Sequence, residues 1–360
     1  MAQSLLRKDE GGRCKAEAGD GLQPSAVILW VGSVGGMEAE LVARAGIEFR
    51  AVQGACLHGM GWRALPNLAR LAAGFFQSLA IIGRFRPQAL LVTGGYVAVP
   101  VSLAAWLRRV PRLVYLPDIE PGLAVRLLSR LANKVAVTAE DSRAYLPGGK
   151  VTVTGYPVRA ELLAIDREQA VAELGLEAGL QTLLVFGGSR GARSLNRALI
   201  ASLDDLLAHY QIIHVSGTLD WPEVSAARQA LPEAAQRRYK AFGYLHEAMG
   251  PALAAADLAV ARAGASTLGE LPLFGLPAVL VPYPHAWRYQ KVNADYLASR
   301  GAAVRLNDED LEARLAALVH ELLSDRPRLA AMRRAMRLLA QPQAARAIAG
   351  ELRALAGVGP

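Results

Sequence analysis

The chain is short of the features that mark several protein classes. Only two of its 360 residues are cysteines, Cys14 and Cys56, and they form no CxxC pair. That excludes a disulfide scaffold and fits a reduced, cytosolic compartment. Aromatic residues make up 6%, with no RNA-type aromatic motif and no zinc-finger spacing, so nucleic acid is not expected as a partner. The six histidines (58, 209, 214, 246, 285 and 320) show neither HxH nor HxxxH spacing, and no metal is expected. There is no GxxxxGK[ST] loop and no full GxGxxG, which argues against a P-loop nucleotidase and weakens a nicotinamide site. The longest apolar run, "LAAGFFQSLAII" at 71–82, falls short of the about 20 residues that span a bilayer. Residues 1–25 hold no apolar core of signal-peptide length. A soluble protein, or one lying on a membrane surface, is expected.

What is present is ordinary in amount and ordered in pattern. Hydrophobic residues reach 52% against 20% charged, and the net charge is +8. This is the composition of a folded α/β protein with a preference for acidic or phosphorylated partners. Apolar runs at 26–32, 89–95, 112–116, 134–138 and 151–155 read as strands of a first sheet. Those at 182–188, 211–217, 238–244, 258–264 and 278–284 read as strands of a second. Nearly continuous apolar strands separated by helical patterns predict parallel sheets covered on both faces. The expected fold is two doubly wound Rossmann-like domains facing a central cleft. The punctuation at Gly155 and Pro157 sets the boundary: residues 1–157, then 158–335, with helices over 336–360 broken at Pro342 and crossing back to the first domain.

Ligands of such sheets bind where strands end and helices begin. In "LLVFGGSRGARSLNRAL", Gly187, Gly188 and Ser189 follow a strand and precede a helix; the pattern suits a phosphate cradle, and equally a plain turn. "VTGGYVAVPVSLAAW" repeats the build in the first half, with Pro100 in an early helical turn. Two anion loops suggest two phosphate-bearing substrates. In "ARAGASTLGEL", Ser266, Thr267 and Glu270 open a helix. They fit a ligand site, with Glu270 accepting from both hydroxyls of a ribose, or an N-cap with its capping-box partner. His285, Gln290 and Asn293 crowd the next loop and helix start. Asp308-Glu309-Asp310 forms a DxD pattern, but it precedes an apolar-periodic segment and reads as a helix cap. The apolar segment 65–82, with Trp62, Phe75, Phe76 and Trp106, carries Arg63, Arg70, Arg84, Arg86, Arg108 and Arg109 around it. It reads either as helix packing or as an apolar patch with a basic rim for anionic lipid.

The ordered set "VGSVGGMEAELVARAGI", "TGGYVAVPVSLAA", "PGLAVRLLSRLANKVAVT", "VTGYPVR", "GGSRGARSLN", "RAGASTLGEL" and "PHAWRYQKVNA" resembles the MurG family, the peptidoglycan N-acetylglucosaminyltransferases of the two-domain GT-B class. The resemblance runs from about residue 27 to the C-terminal helices. It implies transfer of N-acetylglucosamine from UDP-N-acetylglucosamine to the muramyl-pentapeptide pyrophosphoryl-undecaprenol acceptor, with inversion and without a metal or cofactor. The work would be done at the cytoplasmic face of the cell membrane by a peripheral enzyme. By the same resemblance Ser189, in the Gly187-Gly188 loop, would contact the diphosphate and Leu245 the uracil region. Ala265, Ser266, Thr267, Leu268, Gly269 and Glu270 would meet the phosphate and ribose, Gln290 the sugar, and Arg159 would complete the donor site. Gly94, Gly95 and Tyr96 would face the acceptor's pyrophosphate.

Two departures stand out. The family's glycine-rich GGTGGH loop has no counterpart, and "MAQSLLR" resembles the end of the helix that should follow it. The histidine of that loop is the one considered for acid–base work, so no catalytic residue is assigned. The family's HEQN positions read Tyr115, Leu116, Pro117 and Asp118. This puts a carboxylate beside the donor diphosphate, repulsive unless protonated or turned away. Three readings stay open: a working transferase with an upstream start or a rewired site; a truncated or degenerate homologue that binds UDP-sugar without efficient catalysis; and a transferase with a different lipid acceptor.

Overall fold

A computed structural model describes residues 26–35, 38–54, 64–188, 191–284 and 289–358. Cys14, Cys56, His58, Trp62, Arg63, Ser189 and His285 lie outside the described residues. Contacts divide the chain into two compact units. One takes residues up to Tyr115, Leu123–Val135 and Glu351 onward; the other takes Leu116–Gly122 and Ala136–Gly350.

In the first half, strands β1 (Leu29–Ser33) and β2 (Glu48–Val52) pair in parallel as a small sheet. Strands β3 (Leu90–Val92), β4 (Arg112–Leu116), β5 (Lys134–Val137) and β6 (Val151–Val153) form a second, of order β3-β4-β5-β6. Among the described residues the single first sheet expected from the sequence is therefore two: β1 pairs with β2, a strand absent from the expected set, and β3 opens a separate ladder.

The helix Ala64–Phe85 is longer than its apolar run suggested. The section 67–85 has, by length and composition only, what a membrane span requires, and little of it is buried. Arg70 and Gly83-Arg84, which bound the run, do not end the helix, and the polar pair inside it is satisfied. Ser78 donates its hydroxyl to the Gly74 carbonyl one turn back, and Gln77 accepts from the Gln53 backbone N–H. One side of the helix, with Phe75, Leu79 and Ile82, packs with Ala104 and Ala105 of the helix Ala98–Leu107. Leu68 and Phe76 stay exposed, as do Trp106 and Leu107.

In the second half, β7 (Thr182–Phe186), β8 (Gln211–Val215), β9 (Tyr239–Phe242), β10 (Leu258–Ala261), β11 (Ala278–Leu280) and β12 (Ala303–Arg305) make one sheet. Its order is β12-β11-β10-β7-β8-β9, parallel at every pairing. Alternate residues of each strand enter opposite cores. Leu184, Phe186, Ile213 and Ala259 join one, while Leu183, Val185, Ile212 and Val260 join the other. That is why these strands read as unbroken apolar runs. The chain adds β8 and β9 on one side of β7 and then returns to place β10 on the other. The strand order reverses between β7 and β10, which leaves a crevice beyond their carboxyl ends.

Candidate donor-binding site

The loops after β7 and β10 both open at that crevice. After β7 the chain turns through Gly188 and Gly191, with φ of +90° and +88°, backbone conformations that glycine adopts without strain. Gly191 also lies so close to the Ser216 carbonyl that a Cβ would come within 2.3 Å of its oxygen. The helix Arg193–Ala201 follows. Its N-cap, Ala192, offers no side-chain cap, and its first turn carries no acid. The N–H groups there are the electropositive end of the helix, suited to an anion.

That helix start is pinned from two sides. Ser194 donates to Asp308 Oδ1 (2.8 Å) and accepts from Arg262 Nη2 (2.7 Å), while Arg262 Nη1 bonds the same Asp308 oxygen. Arg262, at the end of β10, is buried and lies 5.4 Å from the centroid of the Tyr283 ring. Asp308-Glu309-Asp310 leads directly into the helix Leu311–Ser324 and puts three acids at its start, as expected, but the capping part of that reading is corrected: neither Asn307 nor Asp310, the N-cap positions, makes a side-chain cap bond. Asp308 is instead the counter-ion of a buried arginine. Arg262 escapes a reading of the sequence because its partners lie 46 and 68 positions away.

After β10, Ala265 and Ser266 lead into the helix Thr267–Phe274. Ser266 makes no side-chain cap bond, so the N-cap alternative for it fails. Its hydroxyl instead bonds Glu270 and helps hold that carboxylate ionised. Thr267 is buried and donates its hydroxyl to the Gly264 carbonyl at 2.6 Å. Leu268 and Gly269 are also buried, and a Cβ at Gly269 would meet the Tyr156 ring at 2.6 Å. These three residues present packing surface inward, leaving Ala265, Ser266 and Glu270 at the half-buried edge.

Burial pushes the Glu270 carboxyl above its usual range, and Arg159 opposes the shift by its charge. Asp118 is pushed up in the same way, with the hydrogen bond from Asn293 opposing. Both carboxylates, behind burial, push the Tyr156 hydroxyl up. Asp118, Tyr156, Arg159 and Glu270 therefore share one electrostatic environment. Asn293 is fully buried; it donates to Asp118 Oδ1 (2.8 Å) and the Ala263 carbonyl (3.1 Å), and accepts from Ile119 N–H (3.1 Å). That amide fixes Asp118 against the β10 loop. Gln290, one turn earlier on the helix Tyr289–Ala298, accepts from Tyr283 N–H at 2.8 Å and shapes the loop after β11. Leu245 follows β9 and packs partly buried against the core. Gly94 and Gly95 have φ of +106° and +85°, and Tyr96 is exposed beside them; these three belong to the first unit.

Both halves of the chain match known proteins. The glycosyltransferase family 28 C-terminal domain matches residues 182–348, and the N-terminal domain of the same family matches residues 19–137. A UDP-N-acetylglucosamine–N-acetylmuramyl-(pentapeptide) pyrophosphoryl-undecaprenol N-acetylglucosamine transferase of Roseiflexus sp. (strain RS-1) is 45% identical, over 97% of this chain and 87% of that one. The protein of the same name from Desulforudis audaxviator is 40% identical, over 93% and 92%. The crystal structure of Acinetobacter baumannii MurG superposes with a TM-score of 0.71 at 25% identity, covering 90% of each chain.

Proposed function

Since this chain belongs to glycosyltransferase family 28, within its MurG group, we propose that it transfers N-acetylglucosamine from UDP-N-acetylglucosamine to a lipid-linked muramyl-pentapeptide in peptidoglycan synthesis. The observation that carries the reading is the pair of loops at the reversal point between β7 and β10, one anion-receptive and one edged by Glu270. The acceptor hydroxyl oxygen attacks the anomeric carbon, the carbon–oxygen bond to UDP breaks, and UDP leaves with the electron pair as configuration inverts. The acceptor's proton passes to a base.

In this reading the donor diphosphate lies over Gly187, Gly188 and Ser189 and the start of the helix Arg193–Ala201. The helix dipole there stabilises the charge that grows on the leaving group. Glu270, ionised, accepts from the ribose hydroxyls, while Arg159 balances its charge. Leu245 borders the uracil, Gln290 the sugar, and Asp118 the diphosphate. Because Thr267, Leu268 and Gly269 are turned inward, they serve the donor by shaping the loop. The Gly94-Gly95-Tyr96 turn takes the acceptor's pyrophosphate. The exposed Leu68, Phe76, Trp106 and Leu107, with Arg70, Arg84, Arg108 and Arg109 near them in sequence, dock the first domain on the anionic cytoplasmic face of the membrane.

Titration calorimetry with UDP-N-acetylglucosamine tests the donor site. Glu270→Ala should weaken binding about tenfold or more, since charge-assisted bonds to two hydroxyls are lost. Unchanged affinity would return Glu270 to a packing role beside Ser266.

A further inference from the structure

One buried ionisable group has no part in the donor chemistry as described. His214, in the middle of β8, has no exposed surface, and the tyrosine and asparagine that bond it are also buried. The Asn196 amide nitrogen donates to the Ser216 carbonyl and to Asp220 Oδ2, both at 2.9 Å. Turned the other way, the amide would set its oxygen against two acceptors, so only one orientation satisfies the site. Its Oδ1 therefore faces His214 Nε2 at 2.9 Å and must receive a hydrogen from it. Burial lowers the His214 pKa to about 3, so the ring is neutral and its proton sits on Nε2. The bare Nδ1 then accepts from the Tyr239 hydroxyl at 2.7 Å. Every hydrogen in the chain Tyr239–His214–Asn196–Asp220 has one available place, and Arg193 Nε closes it on Asp220 Oδ1 at 3.0 Å.

The far end of this chain is the glycine loop. The Cβ position of Gly191 is 2.3 Å from the Ser216 carbonyl oxygen and 3.3 Å from Asp220 Oδ2. These are the two acceptors that the Asn196 amide holds. Asn196 also donates its backbone N–H to the Ala192 carbonyl, and Gly191 N–H bonds the Gly188 carbonyl. The floor on which the loop lies is therefore held by an amide whose oxygen is anchored by a buried histidine.

We propose that His214, acting through Asn196, is a positioning residue for this loop, holding the backbone N–H groups at the start of the helix Arg193–Ala201 in register with the donor diphosphate. This rests on the assignment of that loop to the donor. A neutral imidazole suits such a position because it supplies one donor and one acceptor in fixed directions, with no charge beneath a loop that binds an anion.

The test is steady-state transfer kinetics with varied UDP-N-acetylglucosamine on the full chain. His214→Phe keeps an aromatic ring and removes both hydrogen bonds, leaving the buried Asn196 Oδ1 without its donor, so that the amide shifts with the loop floor it holds. The donor KM should rise about tenfold while kcat at saturating donor stays within about threefold, the pattern of lost ground-state and transition-state binding alike. His214→Gln again offers one donor and one acceptor, and should restore most of the donor affinity. A His214→Phe enzyme with an unchanged donor KM, or with kcat and both substrates' KM values degraded together, overturns the proposal. Should His214→Phe fail to fold, nitrogen NMR of histidine-labelled wild-type protein decides. Saturating UDP should shift the His214 ring signals, and an unmoved Nε2 signal would refute the coupling. If wild-type protein binds no UDP-sugar at all, it is the donor assignment that fails.

Discussion

His214 makes a pH dependence of stability that can be calculated. In the unfolded chain its pKa is the ordinary 6.5, and in the fold burial lowers it to about 3. Between those values the unfolded chain binds a proton that the native protein refuses, so stability falls as pH falls through 6.5 and levels out below about 3. Each pH unit inside that window is worth about 1.4 kcal/mol, so acidification from neutrality to pH 4 should remove about 3 kcal/mol through this one side chain. That is a large share of the 5–15 kcal/mol typical of a domain. Carboxylates titrate over the same range, so wild type must be compared with His214→Gln, which cannot titrate there. Amide hydrogen exchange at Ile212 and Ile213, fully buried on the same strand, reports the opening free energy of this unit alone. The wild-type value should drop between pH 7 and 4 by about 3 kcal/mol more than the variant's. Parallel pH profiles would mean that the imidazole is solvated or charged in the fold, and would remove the grounds for its tautomer.

Three further outcomes follow from the same geometry. Gly191→Ala forces a Cβ onto the Ser216 carbonyl at a φ of +88°, so thermal melting should show a loss of about 2 kcal/mol or more, with donor affinity falling as well. Arg262→Met leaves Asp308 and Ser194 without their cation; a urea titration should show a cost of about 2–3 kcal/mol, at the low end for a broken buried pair because Asp308 keeps some exposure. Asp118→Asn removes a half-buried carboxylate whose proton leaves above its ordinary range. Above that pH the wild-type site carries one extra negative charge, so the variant should bind UDP a few-fold more tightly at pH 8, and calorimetry at successively lower pH should show the advantage shrinking as the wild-type group protonates.

The second-half sheet was legible because its strands are buried on both faces and their apolar runs are unbroken; β7, with Gly187 and Gly188 behind it, reads as strand and loop from the letters alone. Strand β2 was not, since Glu48 and Arg50 pair with each other on an exposed edge and break the apolar signal. Strand β12 is three residues long and ends in an arginine. The helix Ala64–Phe85 exceeds the apolar run 71–82 because Arg70 and Gly83-Arg84 end the run of apolar letters without ending the helix. At the site, the loop glycines and Glu270 announced themselves locally. Arg262, Asp308, Asn196, Asp220 and His214 did not, because each acquires meaning only from partners 18 or more residues away.

Sugar transfer by this chain from UDP-N-acetylglucosamine to a lipid-linked acceptor is the claim on which the rest depends. It is tested most directly by incubating the purified 360-residue protein with labelled UDP-N-acetylglucosamine and an undecaprenyl-pyrophosphoryl muramyl-pentapeptide, and following label into the lipid fraction. The expected product is a disaccharide lipid with inverted anomeric linkage, with one UDP released for each sugar transferred. Tight UDP-sugar binding with no label transferred to that acceptor would contradict it.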